Sequence, residues 1–209
     1  MKVAKEGLRF ILPPAGLAVL FGILGWGLAA FLFFLLACAF TFFFRDPDRV
    51  PPAGEGLLVS PADGEVLGVE AIDAHPGLGG PATKVTIFLS LFDVHIVRAP
   101  LSATVASVDH HAGQFRPAYK PEAGEHNEST TLALKGGRVD AVMKMIVGVA
   151  ARRIKSFVKA GDAVARGQRA GLMFFGSRVE LTLPRSAAIK AGLHDRVKAG
   201  ETVIAEVQP

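Results

Sequence analysis

The sequence predicts a mainly β protein, in which a β-sandwich or barrel-like domain follows a hydrophobic helical membrane anchor. Two observations lead to this fold class. Half of the 209 residues are hydrophobic, yet no charged residue occurs from Phe10 to Phe44. Beyond residue 50, apolar and polar residues alternate in short runs that end at turn residues, which is typical of strands. No long amphipathic helical pattern competes with these runs, so strands are expected to build the core.

The apolar segment Phe10–Phe44 is longer than the roughly 20 residues that one spanning helix needs. It allows two interpretations: one tilted helix over about Leu24–Phe44, or a re-entrant hairpin bent at Gly25–Gly27. Basic residues flank both ends, which under the positive-inside rule favours the hairpin or a monotopic anchor. Leu35–Cys38 resembles a lipoprotein cleavage box, but the apolar run continues beyond it, which argues against export. We therefore predict an anchor over residues 1–44 at the cell membrane, with the rest of the chain on the cytoplasmic face.

Charge and cysteine content exclude several classes of function. The net charge is +4, and the charged residues before Phe10 account for +2, so the remainder carries +4 − 2 = +2. That is too little for nucleic-acid binding, although it suits an anionic membrane surface. The only cysteine, Cys38, lies in the apolar segment, so neither an intrachain disulfide nor a cysteine zinc site is expected. The histidine spacing also fits no zinc pattern, and we expect no metal.

The proline-rich segment Arg45–Pro52 marks the end of the anchor, and residues 45–209 are predicted to form one β domain. The expected strands lie near Leu57–Ser60, Glu65–Glu70, Lys84–Leu89, Ala103–Val108, Ser129–Leu134, Val139–Val147, Gly171–Phe175, Arg178–Leu183 and Thr202–Val207.

An internal repeat suggests pseudo-symmetry and an alternative function. Val158–Val164 recurs as Val197–Val203, and each copy places a glycine turn before a strand, as in small domains of the biotinyl and lipoyl type. Met143-Lys144-Met145 is the tripeptide on which carboxyl-carrier domains bear biotin. The alternative function is therefore a carrier domain modified at Lys144. A carrier lysine needs an exposed hairpin tip, whereas Lys144 lies in the β-branched run Val139–Val149, which favours a strand.

The junction between Gly176 and Ser177 offers distinctive chemistry. An apolar run ends at Gly176, and an alternating strand pattern resumes after Ser177. The serine hydroxyl can attack the glycine carbonyl in an N-to-O acyl shift that leaves an ester. Elimination of that ester and hydrolysis of the resulting dehydroalanine would leave a pyruvoyl group. A Gly-Ser pair alone fits an ordinary turn equally well.

Two further side chains are candidates for catalysis. Asp63 lies in the turn Ser60–Gly64 directly after a predicted strand, where an Asx turn is the simpler explanation. His95 lies among apolar residues at a strand end, where it fits a hydrogen-bonded core histidine as well as a catalyst.

Taken in order, these motifs resemble the short, archaeal-type form of the pyruvoyl-dependent phosphatidylserine decarboxylases. The resemblance covers almost the whole chain. It rests on Phe43-Phe44-Arg45-Asp46-Pro47, Ser60-Pro61-Ala62-Asp63-Gly64, Phe88-Leu89-Ser90 with Asp93-Val94-His95, Ile146-Val147-Gly148, Lys159-Ala160-Gly161-Asp162, Gly167-Gln168 and Phe175-Gly176-Ser177-Arg178-Val179.

The resemblance implies that the proenzyme cuts itself between Gly176 and Ser177. A β chain of residues 1–176 and an α chain of residues 177–209 would remain associated, and a homo-oligomer is compatible with this. The α chain would begin with a pyruvoyl group made from Ser177. This covalent cofactor would form a Schiff base with phosphatidylserine from the membrane and withdraw the electrons released as carbon dioxide departs. The product would be phosphatidylethanolamine.

The resemblance also implies roles for individual side chains. His95, oriented by Asp63, would act in self-cleavage and as the proton donor in decarboxylation. Longer family members carry His-x-x-His, whereas here Arg98 occupies the second position, and arginine is always protonated and cannot be a base. Either His95 performs both steps or another group triggers cleavage. Arg98 is expected to bind the phosphate or carboxylate of the substrate, and Asn127 matches a family segment near the site.

Overall fold

The structure is a computed structural model of the uncleaved chain and describes residues 2–120, 122–149, 153–174 and 177–207. The chain divides into two compact units, Met1–Asp48 and Arg49–Pro209.

The first unit is a helical hairpin. A 3₁₀ turn, Lys5–Gly7, leads into α1 (Leu8–Ile23), and a tight turn joins α1 to α2 (Gly27–Phe43). Gly25 occupies the left-handed region with a φ of 75°, which a residue without a Cβ adopts at little cost, and the chain reverses there. The chain is therefore bent at Gly25–Gly27, as the hairpin interpretation predicts, and Leu24–Phe44 is not one continuous helix; a re-entrant placement in the membrane stays a prediction.

Aromatic packing and a short bridge hold the hairpin together. Phe10 stacks on Phe44 with ring centroids 5.3 Å apart, and Phe21 stacks on Phe33 at 5.4 Å. Val3 forms a bridge with Arg45, so both ends of the hairpin lie side by side. Among the described residues, Lys5–Ile23 is the one helix long and apolar enough to cross a membrane by length and composition, with a mean hydropathy of 1.4. Exposed apolar residues on both helices make this unit a candidate membrane anchor.

The second unit is mainly β, as predicted. Its only helix among the described residues is the short α3 (Ala123–His126). Its strands are β1 (Leu57–Val59), β2 (Gly64–His75), β3 (Gly80–Leu89), β4 (Ile96–Arg98), β5 (Ala103–His111), β6 (Ser129–Gly136), β7 (Ala141–Val147), β8 (Ile154–Ser156), β9 (Ala163–Val164), β10 (Arg169–Met173), β11 (Ser177–Pro184), β12 (Ala188–Ile189), β13 (Arg196–Val197) and β14 (Val203–Glu206).

These strands form one large sheet and two small ones, and neighbouring strands run antiparallel. The large, curled sheet has eight strands in the order β13-β2-β3-β11-β7-β6-β5-β9. The small sheets have the orders β1-β14-β12 and β4-β10-β8. β11 therefore lies in the middle of the large sheet and is hydrogen-bonded to β3 on one side and β7 on the other.

The core covers the inner face of this sheet. Val179, Leu181 and Leu183 of β11 are fully buried, and Val179 lies between its partners Ile87 and Met145. Successive side chains of a strand point to opposite faces, so this odd-numbered set defines the inward face of β11. Ser177 lies two residues before Val179 on the same strand, so its side chain belongs to the same inward face.

The nine predicted strands are present, apart from Phe175, which lies outside the described residues, and five further strands within the described part of the chain were missed. The missed strands β4, β8, β9, β12 and β13 contain two or three residues each, too few to show an alternating pattern. Both copies of the repeat do place a glycine before a strand. Gly161 and Gly200 have φ values of 90° and 77°, and they precede β9 and β14. The likeness to biotinyl and lipoyl domains in detail stays a prediction.

Candidate active site

Ser177 is the first residue of β11 and is completely buried. Its Oγ has no hydrogen-bond partner among the described residues. Burying a hydroxyl without a partner costs about 1–3 kcal/mol, so such a group is rarely kept without a function. Leu89 of β3 and Val147 of β7 flank Ser177 in the sheet, and both are fully buried. The hydroxyl thus lies in a dry environment at one end of the central strand.

The register of the sheet brings Asp63 to the same end. One position further along the strands, Glu65 of β2 pairs with Phe88 of β3, and Phe88 pairs with Arg178, the residue after Ser177. Asp63 immediately precedes β2 and lies two strands away from β11, or about 10 Å at the usual strand spacing. Gly64 fixes this approach, because a Cβ there would lie 2.1 Å from the Phe88 carbonyl oxygen.

His95 is also completely buried and lies beside the segment that leads to Ser177. Its carbonyl oxygen accepts a hydrogen bond of 3.1 Å from the backbone N–H of Met173, the last residue of β10. Its ring Nδ1 lies 3.0 Å from the carbonyl oxygen of Asp93. A carbonyl oxygen can only accept, so Nδ1 donates, and in the neutral ring Nε2 is the nitrogen that can take a proton.

Asp93 supports His95, a role that its place in the motif Asp93-Val94-His95 did not predict. Its Oδ2 accepts hydrogen bonds from the backbone N–H and the hydroxyl of Ser90, at 2.8 and 2.7 Å, and its Oδ1 accepts from Arg196. These contacts hold the turn whose carbonyl oxygen orients His95. The spacing of Ser90 and Asp93, three residues apart after a strand, is a local signal for such a side-chain-closed turn.

The carboxylate of Asp63 has strong partners of its own. Oδ1 accepts a hydrogen bond from the backbone N–H of Ala199 and Oδ2 one from Arg49 Nη2, both at 2.8 Å. The side chains of Arg49 and Asp63 are only 9% and 12% exposed, and Arg49 also binds Glu201 at 2.9 Å. Asp63 therefore helps to join the start of β2 to the turn before β14. Its predicted role in orienting His95 stays a prediction.

Arg98 lies at the far end of β4 from His95. It is buried, and its Nη1 donates to the carbonyl oxygen of Gly167 at 3.0 Å. Its Cδ would lie 3.0 Å from a Cβ at Gly200. These contacts link β4 to two glycine turns, and its predicted binding of substrate is not tested by them.

Asn127, in contrast, lies next to the strand that flanks Ser177. Its Nδ2 donates to the carbonyl oxygen of Val147 at 2.7 Å and to that of Arg116 at 2.8 Å, while its Oδ1 accepts from the Arg116 N–H at 2.9 Å. Asn127 thereby fastens the segment before α3 to the end of β7, immediately beside Ser177.

The sequence model of the phosphatidylserine decarboxylase family matches residues 36–205. This chain belongs to that family. Proteins named phosphatidylserine decarboxylase proenzyme in Carboxydothermus hydrogenoformans and Symbiobacterium thermophilum are similar to it, with 40% and 41% identity. The matches cover 98% and 97% of this chain and 96% and 94% of those proteins. A third, from Desulfotalea psychrophila, is 37% identical over 98% of this chain and 96% of its own length.

Family membership and geometry together leave the carrier alternative without support. Lys144 lies inside β7, between Thr131 of β6 and Glu180 of β11, rather than at a hairpin tip. Its Nζ donates to the carbonyl oxygen of Gly124 at 2.7 Å. This lysine holds the α3 segment against the outer face of the sheet.

The other half of the expected scissile bond, Gly176, lies outside the described residues. Within them, no group of three or more His, Cys, Asp or Glu side chains is arranged to hold a metal ion.

Proposed function

We propose that this chain is a self-cleaving, pyruvoyl-dependent decarboxylase that converts phosphatidylserine to phosphatidylethanolamine and carbon dioxide. The observation that carries the proposal is the buried hydroxyl of Ser177, which has no hydrogen-bond partner among the residues that the structure describes, in a chain of this family. The proenzyme names of its relatives support maturation by cleavage.

In the first step, Ser177 Oγ attacks the Gly176 carbonyl carbon and His95 Nε2 takes the hydroxyl proton. The C–N bond of the peptide breaks, and the glycyl group becomes an ester on Oγ with a free amine on Ser177. Loss of the Ser177 α-proton then expels the Gly176 carboxylate and leaves dehydroalanine. Its imine tautomer reacts with water, which releases ammonia and leaves a ketone. The closed Ser90–Asp93 turn assists by fixing the ring of His95 with Nε2 as the basic nitrogen.

The position of β11 supports retention of the α chain after cleavage. From Ser177 to Thr182, every residue of β11 pairs with both β3 and β7. Severing the bond before Ser177 removes none of these pairs. The new N-terminus would therefore stay between Leu89 and Val147, as a covalent cofactor requires.

The pyruvoyl group, once formed, supplies an electron sink for the electrons left on the substrate as carbon dioxide departs. The residues around Ser177 fit this group, because its buried hydroxyl lies between the apolar side chains of Leu89 and Val147, in a dry, preorganised position. Leu89 and Val147 exclude water, and His95 Nε2 holds the proton that the product receives. The hydrogen bonds of Asn127 to Val147 and of Arg98 to Gly167 support positioning roles for these two side chains. The apolar helical hairpin supports residence at the membrane that contains the lipid.

The decisive experiment compares Ser177→Ala with Ser129→Ala, a matched change of a buried serine on β6. Ser177→Ala should remain a single full-length chain without decarboxylase activity, because no hydroxyl can attack. Ser129→Ala should release an α chain of 209 − 176 = 33 residues with a blocked N-terminus, as read from the intact mass. Two fragments in Ser177→Ala would rule out the cleavage chemistry. Hydroxylamine should inactivate the mature wild type by consuming the ketone, and indifference to it would contradict a pyruvoyl group.

A further inference from the structure

Large apolar side chains are exposed in the Arg49–Pro209 unit in an uneven distribution. Eight are exposed among its described residues, and five of them, including all three exposed aromatic residues, lie in three loops. We call this set the apolar rim, and its members are Leu91, Phe92, Phe115, Tyr119 and Val149. Phe92 is the most exposed of them, at 78%.

Two of the three loops leave the sheet at the end where β11 begins. Leu91 and Phe92 lie in the turn that follows Leu89, the β3 partner of Ser177. Val149 lies two residues beyond Val147, the β7 partner of Ser177.

The loop that contains Phe115 and Tyr119 is tied to the same place. Asn127 bonds both backbone groups of Arg116 and the carbonyl oxygen of Val147. Tyr119 meets Phe88 edge to face, with ring centroids 6.3 Å apart. The apolar rim therefore lies at the end of the sheet where β11 carries Ser177.

The residues next to the apolar rim indicate what covers it. Phe115 is followed by Arg116 and Tyr119 by Lys120, so two cations lie in the same loop as these two rings. Aromatic rings beside cations suit the interface of an anionic bilayer, where the ring enters the headgroup layer and the cation meets phosphate. The exposed carboxylates of this region, Glu122 and Glu125, lie further along at α3. The loop of Phe115 and Tyr119 thus combines two aromatic rings with two positive charges.

We propose that the apolar rim docks the catalytic unit into the headgroup layer of an anionic phospholipid bilayer. Docking there would place a lipid headgroup at the end of β11 without removing the lipid from the membrane. The proposal rests on the proposed function only for the identity of that headgroup. The rim side chains act through binding and take no part in self-cleavage.

A fluorescence experiment tests docking without relying on activity. The chain has one tryptophan, Trp26, so Trp26→Phe provides a silent background. Phe92→Trp in that background is reconstituted as the full chain into phosphatidylcholine vesicles that contain phosphatidylglycerol and doxyl-labelled lipid. The matched control is Val69→Trp, on an exposed position of β2 that pairs with Val85, four residues before Leu89. We expect a blue-shifted indole quenched by the doxyl group at position 92 and an unquenched indole at position 69.

Quenching at position 92 no stronger than at position 69 would overturn the proposal. A second outcome would also overturn it. If the indole at position 92 is shielded from iodide only at high protein concentration, and lipid does not quench it, a second copy of the chain covers the rim.

Kinetics provide a second, independent test. The double variant Leu91→Ser/Phe92→Ser retains Ser90 and Asp93, whose hydrogen bonds close the turn that fixes His95. It should therefore form its α chain normally and turn over monomeric short-chain phosphatidylserine at the wild-type rate. Its turnover of phosphatidylserine in bilayers should fall about tenfold, since two apolar side chains no longer insert. Val69→Ser should leave both rates unchanged. Equal rates of the double variant and wild type on bilayers would refute docking, whereas a wild type that decarboxylates neither substrate would refute the proposed function instead.

Discussion

Replacing Asp63 by asparagine tests the contribution of this carboxylate to stability separately from its role in self-cleavage. The side chain keeps its shape, but the negative charge between Ala199 N–H and Arg49 is lost. One amide oxygen can still accept from Ala199, while the amide nitrogen is a donor and would face the guanidinium of Arg49. Arg49 retains its ion pair with Glu201 at 2.9 Å.

The size of the effect follows from burial. Breaking a buried ion pair costs about 3–5 kcal/mol, and the remaining contact between Arg49 and Glu201 places Asp63→Asn near the lower limit, at about 3 kcal/mol. For a unit of this size, each kcal/mol lowers Tm by about 2–4 °C, so a decrease of about 6–12 °C is expected. Glu201→Gln is the matched control, because the side chain of Glu201 is 35% exposed and water can replace it. Its cost should be about 1 kcal/mol or less.

Thermal unfolding is measured in the Ser177→Ala background, so that every variant is expected to remain one uncut chain. A decrease in Tm equal to that of Glu201→Gln would refute the structural reasoning. The rate of α-chain appearance is then measured with Ser177 restored, well below the transition. We expect Asp63→Asn to cleave more slowly while fully folded. Cleavage at the wild-type rate would make Asp63 a purely structural residue and refute its role in orienting His95.

Three further predictions concern the other parts of the chain. His95→Ala should slow α-chain formation about 10²–10⁴-fold and abolish turnover. The control is His126→Ala, at an exposed histidine. Normal α-chain formation with lost decarboxylation would confine the role of His95 to decarboxylation. Deleting Met1–Phe44 should leave a folded, self-cleaving β unit that turns over bilayer lipid poorly, and a product that neither folds nor cuts would make the hairpin part of the core. Asn127→Ala should lower the free energy of unfolding by about 2–4 kcal/mol in denaturant titrations, because Val147 and Arg116 lose buried partners; an unchanged midpoint would show that water replaces them.

The sequence by itself was sufficient to predict the class of fold and to identify a candidate bond for the chemistry of cleavage. A glycine followed by serine is a covalent feature of the chain, so the candidate bond at Gly176–Ser177 is independent of any packing. Alternation of apolar and polar residues likewise predicted the long strands, because the two faces of a strand differ in burial whichever strands lie beside it. A run of apolar residues without charge predicted the anchor in the same way.

Only the tertiary structure decided how these pieces meet. β11 lies between β3 and β7, strands far from it in sequence, and alternation tells which face a residue occupies but not which strand lies beside it. The contact that orients His95 comes from a backbone carbonyl, that of Asp93, which every residue possesses and no residue type reveals. The partners of Asp63 are likewise long-range, since Ala199 and Arg49 reach it only when the turns of separate strands are packed together. Gly25 permitted both a continuous helix and a hairpin, and the packing of α1 against α2 selected the hairpin.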